Sequence, residues 1–258
     1  MRADLMVANN VLAHVPDIND FTRGFAHLLK PDGVVTFEFP HLLNLIEYNQ
    51  FDTIYHEHFS YLSLMAVERI LEAAGLRVFD VEELATHGGS LRLFACLRHS
   101  NRENGPGLAA VRARERDAGL AEDAVYESFA ERVRETKRRL FELLSQIKRE
   151  RKTIVGYGAP AKGNTLLNYC GIGRDMLEFT VDRSPHKQGM FLPGTRLEIR
   201  APEAIEETRP DYVLILPWNL KNEIMEQLSG VRSWGGRFIV AIPNAEILVD
   251  IALRASQL

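Results

Sequence analysis

Lys152-Thr153-Ile154-Val155-Gly156-Tyr157-Gly158-Ala159-Pro160-Ala161-Lys162-Gly163 is the stretch that decides the fold class. Thr153 to Tyr157 is short and reads as a strand. It runs directly into a turn with two glycines and then into a helical segment through Leu166 and Leu167. A strand that enters a helix through a glycine turn opens a βαβ unit. Downstream the alternation continues, with a strand from Leu177 to Val181 that ends in Asp182. Tyr212 to Leu216 and Arg237 to Ala241 read as further strands, separated by a helix around Lys221 to Leu228. Alternating strands and helices imply a parallel sheet with right-handed crossovers.

Gly156-Tyr157-Gly158-Ala159-Pro160-Ala161 fits the G-x-G-x-x-G/A spacing, and Asp182 stands near the place of a ribose-binding acid. Glycines there let a backbone approach a pyrophosphate, and the following helix N-terminus favours negative charge. Lys162 adds a cation. The same residues also serve a tight strand-to-helix turn that binds no dinucleotide, and Pro160 and Lys162 are unusual within the motif. Leu216-Pro217-Trp218-Asn219 ends another strand of this unit, where Trp218 either closes over a ligand or packs.

Upstream, Asp4 to Ala8 reads as a buried parallel strand, followed by a loop to Asp20 in which Asp17 or Asn19 caps the next helix. That helix runs through Phe21, Phe25, Leu28 and Leu29 and is expected to stop at Lys30-Pro31-Asp32-Gly33. Val34 to Phe39 is a strand, and Leu64 to Ala74 a helix closed by Gly75. Leu76 to Val81 and Ser90 to Leu97 pair as a hairpin around Gly88-Gly89. Asn101 to Gly107 reads as linker, and Leu120 to Lys152 as one long charged helix with an apolar stripe. The expected organisation is residues 1–100, a linker and long helix over 101–151, and a second α/β domain over 152–258.

The densest chemistry follows the Val34 to Phe39 strand, in Tyr55-His56-Glu57-His58-Phe59-Ser60-Tyr61, and His14 lies just past the first strand. Imidazole, carboxylate and phenol side chains at the carboxyl ends of strands suit proton transfer at carbon. Adjacent residues point in different directions, so only part of this set can face one substrate. His-Glu-His in a row lacks the i, i+4 spacing of a helical metal site, and no metal site is expected.

The chain has 258 residues, 46% hydrophobic and 26% charged, with a net charge of −4. These values are ordinary for a globular chain with room for one large domain or two modest ones, without bulk attraction to nucleic acid or anionic membrane. Only Cys96 and Cys170 are present, which excludes a disulfide scaffold and a cysteine-rich zinc site and suits a cytoplasmic location. Neither a signal-peptide apolar region nor a membrane-spanning run is legible.

Together the segments Asn9-Asn10-Val11-Leu12-Ala13-His14-Val15, Tyr55 to Tyr61, His87-Gly88-Gly89-Ser90-Leu91-Arg92 and Gly156 to Asn164 resemble a known family. It is that of the S-adenosylmethionine-dependent C-methyltransferases acting on nucleotide-linked 4-keto deoxysugars. The Tyr55 to Tyr61 segment is the specific one. The resemblance implies an α/β fold: part of a class I methyltransferase (Rossmann-like) sheet, its fourth to seventh strands, followed by a second Rossmann-like α/β domain. The zinc domain and the cofactor-binding front half of the methyltransferase domain are missing from the resemblance. It therefore implies an N-terminally shortened version of a longer protein, or a partner that supplies the missing layer, and the former is expected. The first strand then carries an open edge through which copies of the chain can associate.

The same resemblance implies proton abstraction beside a ketone and methylation of the resulting enolate. It makes His58 the expected base, Glu57 an orienting or sugar-contacting group, and Tyr55 and His14 oxygen donors or alternative bases. Ala8, Asn9 and Asn10 would touch an incomplete S-adenosylmethionine pocket that binds the cofactor poorly. Lys162, Gly163, Asn164 and Trp218 would hold the nucleotide sugar. Two other readings stay open: a nicotinamide-dependent oxidoreductase built on the second unit, and a non-catalytic nucleotide-sugar-binding module.

Overall fold

The computed structural model describes residues 2–248. Its described residues divide into two compact units, one running to Gln50 and resuming over His56–Phe129, the other holding Phe51–Tyr55 and residues 130–248.

In the first unit β1 (Ala3–Asn9), α1 (Ile18–Leu28), β2 (Leu29–Pro40), α2 (Leu42–Glu47) and α3 (Leu64–Ala73) follow one another. The hairpin β3 (Leu76–Leu84) and β4 (Ser90–Leu97) comes next, then α4 (Pro106–Asp117) and the start of α5 (Asp123–Arg149). The sheet order is β1-β2-β4-β3, with β1 parallel to β2 and β4 antiparallel to both its neighbours. Helix starts follow local chemistry. The Asp17 carboxylate accepts from the Asp20 N–H at 2.9 Å, and the Ser63 hydroxyl from the Ala66 N–H at 3.1 Å. Phe37, Phe39, Leu71, Leu91 and Leu93 are fully buried between sheet and helices.

Three expectations need correction here. β1 is not buried: Leu5 is 61% and Val7 60% exposed, while Ala8 is covered and Met6 packs against the core. Alternate residues of a strand face opposite sides, and this strand is at the sheet edge with one side covered. α1 stops as expected just before Lys30-Pro31-Asp32-Gly33, at Leu28, but that segment lies inside β2, which starts at Leu29 rather than at Val34. A Cβ at Gly33 would sit 2.9 Å from the Ala3 carbonyl, so glycine lets the two strands approach. Finally, α4 occupies residues expected to be linker and the lead-in to one long helix. Its Leu108 and Val111 are buried, but Arg112, Arg114, Glu115 and Arg116 dilute the apolar period that would have revealed it.

In the second unit, β5 (Ile154–Tyr157), α6 (Ala161–Cys170), β6 (Thr180–Val181), β7 (Ile199–Arg200) and α7 (Ala204–Thr208) precede β8 (Tyr212–Ile215). After it come α8 (Lys221–Gln227), β9 (Arg237–Val240) and β10 (Glu246–Leu248). The order is β10-β9-β8-β5-β6-β7, parallel except for β10. β6 is shorter than the expected Leu177 to Val181 strand, although Leu177, Phe179 and Val181 are all buried. Strand order reverses at β5, with β6 on one side and β8 on the other. At such a point the crossovers leave a crevice at the carboxyl ends of the strands. The connections after β5 and β8, with Lys162 in the first turn of α6 and Trp218 just after β8, flank that crevice.

Candidate active site

The first unit gathers His14, His58 and Tyr61. Asn10 sits at the end of β1 with φ of 54°, a left-handed conformation that asparagine tolerates, and turns the chain into the short helical turn Leu12–His14. The Asn10 N–H donates to the Glu38 carbonyl on β2 at 2.7 Å, fixing the turn to the sheet. The Ala13 carbonyl accepts from the Phe59 and Ser60 N–H groups at 2.8 and 3.3 Å, which brings the 56–61 segment onto the same turn. The His14 and His58 rings then meet edge to face at 4.8 Å, and His58 meets Tyr61 at 5.8 Å.

His14 Nδ1 lies 2.9 Å from the Glu57 carbonyl oxygen. A carbonyl only accepts, so Nδ1 carries the hydrogen and, in the neutral ring, Nε2 is left as a proton acceptor. The contact runs through the Glu57 backbone; the Glu57 side chain, like that of His56, is exposed. Tyr55 groups with the second unit. Of the residues singled out for proton transfer, the structure therefore unites His14, His58 and the backbone of Glu57, and adds Tyr61. Ala8 is buried, Asn9 exposed and Asn10 half-buried at the carboxyl end of β1.

Near this cluster in sequence, His87-Gly88-Gly89 forms the turn into β4. All three have positive φ, of 55°, 90° and 116°. The Gly88 carbonyl accepts from Gln50 Nε2 at 2.7 Å, and Arg92 pairs with the buried Glu38 at 2.8 Å. These contacts build the unit and leave His87 on its turn. His41, which the sequence did not single out, is fully buried and bonded through Nε2 to Glu115 at 2.8 Å.

In the second unit the glycine loop packs on its own protein. A Cβ at Gly156 would lie 2.7 Å from Thr180 Oγ1, one at Gly158 2.6 Å from Pro217, and one at Gly163 2.8 Å from Leu216. Gly158 also has φ of 93°. The Asp182 carboxylate accepts from the Ala159 and Ser184 N–H groups at 2.7 and 2.9 Å, and Lys187 lies 3.4 Å away. Each feature that suggested a dinucleotide thus has an internal partner.

Lys162 and Trp218 do converge. The Lys162 ammonium stands 4.6 Å from the Trp218 ring and donates to Asn219 Oδ1 at 2.8 Å. Burial lowers its pKa, opposed by the charge of Asp52. The Trp218 indole donates to Asp52 Oδ2 at 2.7 Å. Asn164 is half-buried, its side-chain oxygen accepting from Asn168 at 3.2 Å, while Gly163 is buried. Asp52 is the residue the sequence did not expose: its partners lie 110 and 166 positions downstream, and no local pattern marks it.

Comparison with known proteins places these clusters. Residues 85–243 match the family model of the C-methyltransferase C-terminal domain, well over half of the chain. The chain belongs to this C-methyltransferase family. Residues 1–81 match a methyltransferase domain model, so the His14–His58–Tyr61 cluster falls in the methyltransferase part. The Lys162–Trp218 pair falls in the C-methyltransferase C-terminal domain. The C-methyltransferase NovU of Streptomyces niveus is 42% identical over 246 residues, covering 95% of this chain and 59% of that protein. The chain thus spans about 59% of the length of this curated relative.

Among solved structures, a putative methyltransferase in complex with the Haloferax volcanii Trm112 activator overlaps 38% of this chain and 55% of its own. Its identity is 14% and its TM-score 0.33. An S-adenosylmethionine-dependent methyltransferase from Clostridium acetobutylicum overlaps 37% of this chain and 58% of its own, at 10% identity and a TM-score of 0.30. Among the described residues, no helix is long and apolar enough to cross a membrane.

Proposed function

We propose that this C-methyltransferase chain takes part in methylating carbon next to the ketone of a nucleotide-linked 4-keto deoxysugar. The observation that carries the proposal is the His14–His58–Tyr61 cluster at the carboxyl end of β1, with ring distances of 4.8 and 5.8 Å. A ketone acidifies the neighbouring C–H, and an imidazole near neutral pH is suited to remove that proton. His58, half-buried between His14 and Tyr61, is the base. Tyr61 is a phenol able to donate to the oxygen that gains charge, which lowers the barrier to enolate formation. His14 supports a second assignment, because its hydrogen bond to the Glu57 carbonyl leaves Nε2 ready to accept a proton.

S-adenosylmethionine, when bound, supplies an electrophilic methyl group to the carbanion. Ala8, Asn9 and Asn10 suit one wall of its site. The buried alanine leaves room at the strand end, Asn9 presents an exposed carboxamide, and the left-handed Asn10 turns the chain aside. Lys162 and Trp218 suit the nucleotide: the ammonium meets phosphate and the indole stacks on a base or sugar. Asn164 borders them, and Gly163 contributes by letting α6 pack closely on Leu216. The nicotinamide reading loses support because Asp182 is engaged by the loop's own N–H groups.

The test is hydrogen–deuterium exchange at the carbon beside the ketone, which reads proton abstraction by itself, together with methyl transfer. His58→Ala should lower both by about 10²–10⁴-fold while sugar-nucleotide affinity stays within a few-fold. Near-normal exchange in His58→Ala with loss in His14→Ala would move the base to His14. Titration calorimetry with S-adenosylmethionine and with NADH completes the comparison, and binding of NADH alone would sink the methyltransferase assignment.

A further inference from the structure

Asp52 is fully buried, yet among the described residues its Oδ1 has no hydrogen-bond partner. Its other oxygen holds the Trp218 indole at 2.7 Å. Trp218 in turn carries the Lys162 ammonium over its ring, and Asn219, next in the chain, accepts from the same ammonium. Gly163 permits this assembly, since any Cβ there would strike Leu216 at 2.8 Å and push α6, with Lys162, away from Trp218. The short helical turn Phe51–Thr53 that carries Asp52 is itself pinned in this unit by Phe51, whose ring meets Tyr169 at 5.3 Å.

We propose that Asp52 is a substrate-positioning residue that acts through Trp218 and Lys162, holding the indole and the ammonium in the one arrangement that receives a nucleoside diphosphate. The inference rests on the nucleotide role given above to Lys162 and Trp218. A buried carboxylate with one oxygen unpaired is costly, and an amide or an apolar side chain of similar size would fit the same space at less cost. Orientation of two ligand-capable side chains is what the carboxylate supplies in return. A neutral indole and a cation stacked together have several arrangements of similar energy, and the charged acceptor selects one.

Burial moves the Asp52 carboxyl from 3.8 to about 6; the Trp218 hydrogen bond, the Lys162 charge and the nearby Asp52 and Thr53 backbone groups oppose the shift. The groups facing it from neighbouring elements are Trp218, Lys162 on α6 and Cys170 on α6. Burial pushes the Cys170 thiol up to about 12, with Lys137 on α5 opposing. Asp52 therefore changes charge near pH 6.

Two measurements test the proposal. The first is calorimetric titration of the chain with uridine, thymidine and guanosine diphosphates, for wild type, Lys162→Met and Asp52→Asn. Expected is a loss of roughly tenfold or more in Lys162→Met and a loss of similar order in Asp52→Asn, the equivalent of one charge-assisted hydrogen bond. The Asp52→Asn protein should nonetheless be no less stable than wild type, which a purely structural role would not give. If no diphosphate binds, or Lys162→Met binds as wild type does, the nucleotide reading falls and takes the proposal with it. If Lys162→Met weakens binding and Asp52→Asn does not, the reading stands and the positioning role is overturned.

The second measurement needs no ligand. Fluorine NMR of the fluorotryptophan-labelled chain resolves its two tryptophans. The Trp218 line should shift with a midpoint near pH 6 and lose that transition in Asp52→Asn. A Trp218 line that does not titrate overturns the proposal.

Discussion

Glu115 in the first unit and Asp52 in the second are both buried carboxylates, and the fold treats them in opposite ways. Glu115, 3% exposed, accepts from the Leu64 and Met65 N–H groups at 2.6 and 2.9 Å and from His41 at 2.8 Å. The two amides are first-turn donors of α3, which have no partner within their own helix. Glu115 thus docks α4 onto the start of α3 and satisfies groups that burial would otherwise leave unpaired. Asp52 accepts from the Trp218 indole, and among the described residues its second oxygen has no hydrogen-bond partner. The first arrangement is what stability asks of a buried acid. The second is what stability would discard, and it stands beside the cation and indole with which a nucleotide site can be built.

The difference is open to direct attack, beginning with the largest effect. Glu115→Ala strands two helix N–H groups and His41 in the interior and should destabilise the chain by about 3–5 kcal/mol in urea unfolding. A loss below about 1 kcal/mol would remove the contrast, because Glu115 would then be as dispensable to the fold as Asp52. Next, Gly158→Val combines a left-handed φ with a Cβ placed against Pro217. Strain and overpacking together predict a loss of about 2–4 kcal/mol, read as a lowered denaturation midpoint. Full stability in that variant would return the glycines to a ligand-binding explanation and weaken the case that the Lys162–Trp218 site is built by close packing.

Asp52→Asn carries the smallest effect and the opposite sign. Because the folded-state pKa is raised from 3.8 to about 6, the protonated form is the one that folding favours. Its contribution is complete below the unfolded value and is lost as pH rises through about 6. Asparagine removes that loss. The variant should match wild type near pH 4 and exceed it above pH 7 by at most about 3 kcal/mol, the equivalent of the shift itself. Thermal unfolding at several pH values reads this directly, and a variant less stable than wild type at pH 8 would make Asp52 a second Glu115.

Legibility followed the range of the interactions. The helix starts at Asp17 and Leu64, the Gly88-Gly89 turn and strands β5, β8 and β9 rest on neighbours within a few residues and could be read in the chain, whereas the two-residue β7 and the short edge strand β10 carry no such local signal. The Tyr55 to Tyr61 segment announced itself because its groups are contiguous, yet contiguity misled as well: Tyr55 groups with the second unit and Glu57 acts toward His14 through its backbone. α4 escaped notice because charged residues interrupt its apolar period, and β1 was read as buried because its composition is that of a covered strand.

The sequence by itself determined the alternating α/β character and the density of histidine, glutamate and tyrosine in the Tyr55 to Tyr61 segment, since periodicity, turn chemistry and side-chain identity are properties of short stretches. Tertiary structure alone decided which glycines serve packing, that Asp182 belongs to its own loop, and that residues 52, 162 and 218 meet. Those outcomes depend on which distant surfaces come within hydrogen-bond reach and how fully water is excluded from them. Burial raises the pKa of Asp52, and burial is a property of the assembled interior rather than of any segment.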